Sequence, residues 1–536
     1  MHSSSSDDSK DVALVVVRGY VGLPKHQRRH NVVESLIESF GLHNHLSLIQ
    51  AEAAMLEDMT SFHPRKYLCH LQTSANRDPD APLTDEDRAW GLLGDVATFP
   101  ELWTHVTTTV GGSLAAAKCL MDRSYLYAIH WNGGRHHARA QQPSGFCFVN
   151  DVVLCCMRLQ EVFGRVLCVD VDVHHGDGTA EAFEYDNSVF CLSLHQYGAG
   201  LFPGTGGLEE AGSGPGKHYT VNVPLVEGTT DAEYLKLFHL SFLSAVSVFD
   251  PGVVVVVLGT DVLQGDPLGC LNISVRCMER CLTTVRDLGL PTLLLGAGGY
   301  DDTMCARCLA TVTGVFSRVT LPADIPSDDE YFTEYGPDYS RYTPGRKTYP
   351  NATNPLSEMT ASIVHRMKAL DAMLWEPRRA GMIDMGVYKE GSPLRVRVGS
   401  YLSWLSHEEN IMEDDLVVVC SPTLAMEAGV QGTHVIEIPE FIDSVESGLS
   451  IAEQIKALLR DGQTVQKITF LCITGRVSSV IGALLALCLL RWGPWVNEGT
   501  DELLRRVREK IDDFEMDLLW ERVLNSLLRK RDRPED

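Results

Sequence analysis

Short runs of β-branched and other apolar residues alternate with segments of helical length between about residues 12 and 375. The clearest runs are VALVVV (12–17), YLYAIHW (125–131), RVLCVDVDV (165–173), SVFCLSLH (188–195), GVVVVVLGTD (252–261) and PTLLLGAGG (291–299). Two intervening segments, 232–249 and 278–288, have the apolar spacing of helices. Nearly continuous apolar strands are typical of parallel sheets that helices cover on both faces. The pattern therefore predicts an α/β fold built on a parallel sheet.

The pattern changes near residue 375 and predicts a second domain. Residues 342–357, rich in Pro, Asn and Thr, and a predicted helix over 358–374 close the first region. Beyond them, strands are predicted at LRVRVG, LVVVC, HVIEIP and KITFLCIT, and helices near 449–460, 477–491 and 500–530. We therefore divide the chain into a disordered polar tail (1–11), a first domain (12–375) and a smaller C-terminal α/β domain of unknown function (376–536).

The acidic excess and the cysteine pattern restrict the class of protein. The 71 acidic and 46 basic side chains give a net charge of −25, which argues against a general affinity for nucleic acid and favours cationic partners. The 15 cysteines lie in apolar stretches, as expected for reduced core thiols of an intracellular protein. The N-terminus lacks a signal-peptide pattern, and the best apolar run, 480–490, is too short to span a bilayer. No membrane association is expected.

Acidic and imidazole side chains interrupt one of the predicted strands. Asp170, Asp172 and His174 occupy every second position and would share one face of an extended strand. Ionised groups in a buried strand are costly unless they are paired or bound to metal. Carboxylate and imidazole ligands suit Zn²⁺ in a catalytic site with three protein ligands. Asp172 and His174 supply two of them, and the third is Asp261 or, on composition alone, Asp266.

Two further motifs carry groups suited to proton transfer and to hydrogen bonding. His136 and His137 are adjacent on a Gly-rich loop, which favours a general acid/base pair over two structural histidines. Asp170 and Asp177 are available to orient the two rings. Tyr300 follows a Gly-rich strand end, where its phenol either donates a hydrogen bond to a developing oxyanion or packs as an ordinary turn residue.

Taken together, six motifs resemble those of the zinc-dependent histone deacetylases. They are GGRHHARAQQPSGFCFVND (133–151), VDVDVHHGDG (169–178), FPGTG (202–206), GTDVLQGDPLG (259–269), GAGGY (296–300) and YGPDY (335–339). The similarity runs from about residue 12 to 375, with the motifs in the family order. Within the family, the sequence is most similar to class I, in the branch of isoform eight. The resemblance implies an arginase/deacetylase-like three-layer fold with a central eight-stranded parallel sheet.

The resemblance also implies a role for individual residues. The family's zinc ligands fall on Asp172, His174 and Asp261, with Fe²⁺ or Co²⁺ as substitutes for Zn²⁺. The implied catalytic residues are His136, His137, Asp170, Asp177 and Tyr300. The implied substrate-binding residues are Asp95, Gly145, Phe146, Phe202, Leu268 and Tyr300. The implied K⁺ sites use Asp170, Asp172, His174, Ser193 and Leu194 near the zinc, and Phe183, Asp186, Val189 and Tyr219 farther away. Arg29 falls where the family has an arginine beside an internal cavity.

The activity implied by the resemblance is hydrolysis of N6-acetyl-lysine in histone tails or other proteins. This activity would belong to transcriptional repression and chromatin regulation, in the nucleus and cytoplasm. Any protein partners are expected to bind through the C-terminal domain. Two alternatives remain open, a deacetylase of acetylpolyamines and a catalytically weak scaffold. Leu268, where the polyamine-selective branch has Glu, disfavours the first, and the intact ligand positions with Tyr300 disfavour the second.

Three positions depart from the family pattern. Arg135, directly before the histidine pair, replaces an apolar residue, and a cation there would lower the basicity of the pair or contact an acidic group of the substrate. Ala297 replaces a glycine, which is expected to reduce the flexibility of the Tyr300 loop. Pro267 stands where class I members of corepressor assemblies carry an arginine. We therefore do not expect the activity of this protein to depend on such an assembly.

Overall fold

The computed structural model describes most of the first region and five strands of the second. Described are residues 11–375 except 25, 76, 78–81, 346–347 and 351–353, and the strands that lie between residues 383 and 472. Residues 1–10 of the predicted tail and the predicted helices near 449–460, 477–491 and 500–530 lie outside the described residues. The chain divides into two compact units, residues 1–245 with 251–366 and residues 246–250 with 367–536.

Strands and helices alternate through the first region as the apolar pattern predicts. The strands are β1 (Val12–Val17), β2 (Ser47–Ala51), β3 (Tyr127–His130), β4 (Val166–Asp170), β5 (Val189–Gln196), β6 (Thr220–Leu225), β7 (Val253–Leu258) and β8 (Thr292–Gly296). The helices are α1 (Gln27–Ser39), α2 (Leu56–Met59), α3 (Arg65–Ser74), α4 (Asp85–Ala89), α5 (Leu102–Met121), α6 (Asp151–Phe163), α7 (Asp177–Ala182), α8 (Asp231–Phe249), α9 (Val275–Asp287), α10 (Asp302–Phe316) and α11 (Leu356–Trp375). Among the described helices, none combines the length and the apolarity that a bilayer crossing requires.

The eight strands form one sheet in which every neighbouring pair is parallel. Their order is β2-β1-β3-β8-β7-β4-β5-β6. Every residue of the inner strands β4, β7 and β8 is buried, as expected for strands covered on both faces. Helices such as α5 and α6 pack against the sheet. The eight-stranded parallel α/β fold of the arginase/deacetylase type is confirmed.

The strand order gathers the sequence motifs at one edge of the sheet. β3, β8, β7 and β4 are consecutive neighbours, and the loops after them carry the histidine pair, Tyr300, Asp261 and His174. Parallel strands end at the same edge, which is where open α/β sheets bind their ligands. Residues far apart in the chain therefore share one site.

The second region contains a separate sheet. Its strands are β9 (Ile383–Asp384), β10 (Arg395–Ser400), β11 (Asp415–Val419), β12 (His434–Glu437) and β13 (Lys467–Cys472). The order is β12-β11-β13-β10-β9, with β9 antiparallel to β10 and the other pairs parallel. The four strands predicted here from sequence are present, and β9 was not predicted.

Candidate metal centre and active site

The polar end of β4 differs from the predicted extended strand. β4 ends at Asp170, so the prediction that Asp172 and His174 continue the same strand face is wrong. The Asp170 carboxylate accepts a hydrogen bond from the Asp172 backbone nitrogen at 3.1 Å, and the Asp172 carboxylate accepts one from the His174 nitrogen at 2.9 Å. Such bonds to the backbone two residues further on compete with strand pairing and turn the chain. The acidic residues themselves thus end the strand.

Three of the predicted ligands nevertheless converge. One ligand atom from each of Asp172, His174 and Asp261 lies within 4.8 Å of the other two. His174 Nδ1 is 3.1 Å from Asp172 Oδ1 and 3.3 Å from Asp261 Oδ2. Both carboxylates are buried, with Asp172 1% and Asp261 0% exposed. The structure therefore brings together the ligand set that the sequence predicts, with Asp261 rather than Asp266 as its third member.

The surroundings of this triad fit a divalent cation. Asp261 Oδ2 is buried and, within the described part of the chain, forms no hydrogen bond. Burial and the neighbouring Asp172 raise the pKa of the Asp261 carboxyl, because two carboxylates are held together away from water. A bound cation would remove this repulsion. Two carboxylates and one imidazole form an oxygen and nitrogen donor set of the kind found in catalytic zinc sites.

Asp266, the rival third ligand, has a different position. Its Oδ1 accepts hydrogen bonds from the backbone nitrogens of Leu268 at 2.8 Å and Gly269 at 3.3 Å. Its Oδ2 accepts one from the Tyr300 nitrogen at 2.8 Å. Asp266 therefore fixes the Tyr300 loop against the loop that carries Asp261. Sequence reasoning missed this positioning role because composition alone does not distinguish which of the two aspartates, Asp261 or Asp266, is a metal ligand.

Glycine at position 298 leaves room for the two carboxylates. The Gly298 nitrogen donates to Asp172 Oδ2 at 2.7 Å. A Cβ atom at this position would lie 2.0 Å from Asp261 Oδ2 and 2.7 Å from Asp172 Oδ2, closer than non-bonded atoms approach. An alanine would displace Asp261 Oδ2, which faces His174, and Asp172 Oδ2, which accepts the bond from Gly298.

Gly298→Ala is therefore expected to weaken Zn²⁺ binding by about 10- to 100-fold, the range typical of altered ligand support. The measurement is competition for Zn²⁺ against a fluorescent chelator. Gly198→Ala is the matched control, because a Cβ at position 198 meets only Leu201 Cδ1, at an ordinary 3.4 Å. Equal zinc affinity in the two variants would contradict the assignment of these oxygens as ligands.

The two adjacent histidines each contact one carboxylate. His136 Nδ1 is 2.7 Å from Asp170 Oδ2, and His137 Nδ1 is 2.7 Å from Asp177 Oδ1. Their ring centroids are 3.9 Å apart, and both residues are buried. The sequence predicts the pair and both carboxylates, and the structure brings the four groups together in two separate hydrogen-bonded pairs.

The environments of the two histidines separate their proton affinities. Burial opposes protonation of His136, but the charges of Asp170 and Asp172 outweigh it and raise the pKa of His136 to about 9. Burial and the adjacent His136 lower the pKa of His137 to about 4. At neutral pH His136 is thus the cationic member and His137 the neutral one. A neutral imidazole held at Nδ1 by a carboxylate retains Nε2 as a proton acceptor.

Tyr300 lies beside the triad. Burial, together with Asp261 and Asp172, raises the pKa of the Tyr300 hydroxyl well above its usual value. The phenol therefore stays protonated and able to donate a hydrogen bond. Tyr300 also lines the cavity that reaches the triad, which is the placement that the oxyanion interpretation requires.

The predicted substrate-binding residues line one cavity that reaches this centre. The cavity has a volume of about 360 Å³, and its lining includes Asp95, Gly145, Phe146, Phe202, Leu268 and Tyr300. The Phe202 ring packs against His137 with centroids 4.9 Å apart. Phe202 and Leu268 are 43% and 48% exposed, and Asp95 is also exposed, so these residues stand at the mouth. We refer to this cavity as the channel.

The residues implied for K⁺ occupy two places. Ser193 pairs in register with Asp170 in the sheet, and Leu194 follows it in β5, so both lie at the end of β4 that leads to Asp172 and His174. The second group lies at the other end of β5. Its members are Phe183 at the end of α7, Asp186, Val189 at the start of β5, and Tyr219, whose carbonyl accepts a hydrogen bond from Cys191. Binding of K⁺ at either place stays a prediction.

Comparison with known proteins agrees with this geometry. The pattern described as histone deacetylase domain matches residues 23–316. The chain belongs to the histone deacetylase family. Histone deacetylase 8 of Danio rerio is 38% identical over 375 residues, which cover 68% of this chain and 98% of the relative. Histone deacetylase 8 of Xenopus tropicalis is 39% identical over 64% of this chain and 93% of the relative. Histone deacetylase 1 of Homo sapiens is 34% identical over 65% and 72%.

Membership of this hydrolase family agrees with the class I resemblance and with its isoform-eight branch. Ala297 is one of the departures from the family pattern, and the local backbone accommodates an alanine at this position. Its backbone does not have a positive φ, and its carbonyl accepts a hydrogen bond from Arg29 at 2.8 Å. No conformation reserved for glycine is therefore needed at this position.

Proposed function

We propose that this deacetylase hydrolyses N6-acetyl-lysine in histone tails or other proteins, with Zn²⁺ as its resident metal. The observation that carries the proposal is the meeting of three groups at the inner end of one channel. These are the Asp172, His174 and Asp261 triad, the two histidine and carboxylate pairs, and the protonated Tyr300. Amide hydrolysis requires an activated water, a proton carrier and a donor for the oxyanion, and the three groups supply these functions.

Asp172, His174 and Asp261 would hold the metal. When bound, a divalent zinc ion polarises a carbonyl and lowers the pKa of water. His137 Nε2 accepts the proton of the attacking water, because its Nδ1 is held by Asp177. The same atom then delivers this proton to the lysine amine as the amide C–N bond breaks.

The remaining two groups stabilise charge. His136, held by Asp170, keeps a positive charge beside the reacting atoms. The Tyr300 hydroxyl donates a hydrogen bond to the acyl oxygen as negative charge develops on it. The loop bond from the Tyr300 nitrogen to Asp266 keeps this phenol in place.

The channel supports a protein-lysine substrate. Phe146 and Phe202 provide apolar walls for the methylene stem of an acyl-lysine, and Asp95 at the mouth can accept hydrogen bonds from a peptide backbone. The net charge of −25 favours the encounter with basic histone tails. Leu268 at the mouth offers no charge to a polyamine, which disfavours acetylpolyamines.

Three further points belong to this proposal. K⁺ would bind at the two places described above, in a structural role. The protein would act in the nucleus and cytoplasm, in transcriptional repression. Residues 376–536 would form a separate C-terminal domain, and any partners would bind there.

The test is hydrolysis of a fluorogenic acetyl-lysine peptide by purified protein. Tyr300→Phe is expected to lower kcat by about a hundredfold or more, because it removes one oxyanion donor. Tyr185→Phe is the control, since Tyr185 is 66% exposed and lines neither the channel nor the triad. Turnover of free acetylpolyamine but not of peptide would favour the polyamine alternative. Peptide activity unaffected by both Tyr300→Phe and a chelator would refute the mechanism.

A further inference from the structure

A second, smaller cavity adjoins the channel and is lined by Asp172 and His174 of the triad. It has a volume of about 40 Å³. His137, Gly145, Phe146, His174 and Tyr300 line both spaces, so the two meet at the reacting centre. A water needs about 10–15 Å³ of such space, so the inner cavity has room for about three non-hydrogen atoms. The acyl part of a substrate whose lysine fills the channel would extend toward this cavity.

Two guanidinium groups line the inner cavity. They belong to Arg29 and to Arg135, the departure from the family pattern. Arg29 Nη1 donates to the backbone carbonyls of Ala297 at 2.8 Å and Gly299 at 3.2 Å. Arg135 Nη2 donates to the carbonyl of Asn132 at 3.2 Å. Both guanidinium groups thus donate these hydrogen bonds to neutral carbonyl oxygens, and the Asp151 carboxylate acts on the charge of Arg135 through space.

Arg135 has unused hydrogen-bonding capacity. Its Nε is buried and has no hydrogen-bond partner among the described residues. The Asp151 carboxylate, which follows in the same motif, instead accepts bonds from the backbone nitrogens of Gly134 at 2.9 Å and Arg135 at 2.6 Å. A guanidinium stays protonated in proteins, and a buried N–H of such a group is costly to leave without an acceptor. An anionic ligand group would remove this cost.

A carboxylate fits this position in size and in chemistry. It has three non-hydrogen atoms, the number for which the inner cavity has room. Guanidinium groups bind carboxylates through charge-assisted hydrogen bonds. Asp172 is the lining residue of opposite charge, and it is occupied by His174 and the Gly298 nitrogen. The cavity is therefore complementary to an added negative group.

We propose that the inner cavity binds the terminal carboxylate of a short dicarboxylic acyl group, so that succinyl-lysine is a preferred substrate. The inference rests on the proposed lysine deacylase activity. Hydrolysis would add water across the amide, leaving the lysine amine and free succinate. With one carboxyl carbon at the reacting centre, the two methylene carbons would lie where the same residues line both spaces, and the terminal carboxylate would occupy the inner cavity beside Arg135.

The test compares three peptides that differ only in the lysine acyl group. These are acetyl, succinyl and succinamoyl, the last being the neutral amide of the same shape as succinyl. The kcat/KM for succinyl is expected to exceed that for succinamoyl by about 10- to 100-fold. A hydrogen bond between charged groups contributes a free energy that corresponds to a ratio of about this size. Arg135→Met should bring the ratio of kcat/KM for succinyl to kcat/KM for succinamoyl close to one. Arg158→Met removes an arginine that lines neither cavity and should leave this ratio at its wild-type value.

A binding measurement gives an independent readout. Fluorescence anisotropy with chelator-treated protein and labelled peptides should give a Kd for succinyl about tenfold or more below that for succinamoyl. Arg135→Met should remove this difference. A Kd for succinyl equal to or above that for succinamoyl in the wild-type protein, or a difference between the two that Arg135→Met leaves unchanged, would overturn the inference.

The outcomes separate this inference from the proposed function. If the acetyl peptide is hydrolysed and the succinyl peptide has no advantage, the inference fails and lysine deacetylation stands. If no peptide is hydrolysed, the proposed function fails, and the anisotropy ratio still decides the role of Arg135. If free succinate raises the melting temperature through Arg135 and the succinyl peptide gains nothing, the cavity binds a released carboxylate and the substrate inference is overturned.

Discussion

Replacement of His137 by alanine is expected to lower kcat by about 10²- to 10⁴-fold, the usual contribution of a positioned general base. The ring is held through Nδ1 by Asp177 at 2.7 Å, and burial with the adjacent His136 keeps it neutral. Loss of the ring removes the acceptor for the proton of the water and the donor for the leaving amine. KM should change little, because the channel walls still bind the lysine stem. Steady-state kinetics with the acetyl-lysine peptide give both constants.

The control for this variant is His70→Gln. His70 is buried and bonds to Asp87 at 2.8 Å, but it lines neither cavity. Its replacement tests the general cost of removing a buried imidazole, and kcat should stay near the wild-type value. The zinc content of His137→Ala should also be unchanged. A kcat for His137→Ala within threefold of wild type, which is about 0.7 kcal/mol, would contradict the role of His137.

Asp261→Asn is expected to abolish stable metal binding and to reduce kcat/KM by on the order of a thousandfold, since a catalytic metal supplies several kcal/mol. Asparagine keeps an oxygen for the bond that Asp261 Oδ1 accepts from the Val173 nitrogen at 3.0 Å. It replaces Oδ2, the atom that faces His174, by a neutral amide nitrogen. The fold should therefore persist while one ligand is lost.

Metal analysis by mass spectrometry after dialysis checks this expectation. Asp329→Asn is the control, because Asp329 is a buried carboxylate that bonds to the hydroxyls of Ser35 and Ser39 away from both cavities. This control should retain its metal. Full zinc content in Asp261→Asn would exclude Asp261 as a required ligand.

The buried strands of the fold could be predicted from sequence, whereas the two edge strands could not. β7 reads as five consecutive valines and a leucine, and every residue in it is buried. β2 and β6 stand at the two edges of the sheet. β2 alternates between half-buried and exposed residues over most of its length, and β6 contains Pro224. Proline is confined to edge positions of sheets, and a short half-exposed strand lacks a continuous apolar run.

Residue types in the site could be predicted, but their local backbone could not. The alternation of Asp170, Asp172 and His174 predicts a metal-binding cluster, and the triad is present. The strand geometry behind that prediction was wrong, because hydrogen bonds from carboxylates to the backbone end β4 at Asp170. Periodicity describes side-chain direction only while the backbone stays extended.

Contacts between distant loops were also beyond sequence reasoning. Asp261 and Asp266 lie five residues apart in one loop, and composition alone did not separate them. The family resemblance assigned Asp261 as a ligand, and the fold adds that Asp261 faces His174 while Asp266 holds the Tyr300 nitrogen. The role proposed for Arg135 also depends on contacts between loops that are distant in the sequence. Its position before the histidine pair marks it as unusual, whereas its place beside Arg29 in the lining of one cavity comes from the packing of the loops.

The most direct test of the central claim is a titration of chelator-stripped protein with Zn²⁺, followed by acetyl-lysine hydrolysis. We expect no activity in protein shown to be free of metal. Activity should then rise with added zinc to a plateau at one equivalent per chain, and Asp261→Asn should show no such rise. Full hydrolysis by metal-free protein, or recovery in Asp261→Asn equal to wild type, would contradict the assignment of Asp172, His174 and Asp261 as the catalytic metal site.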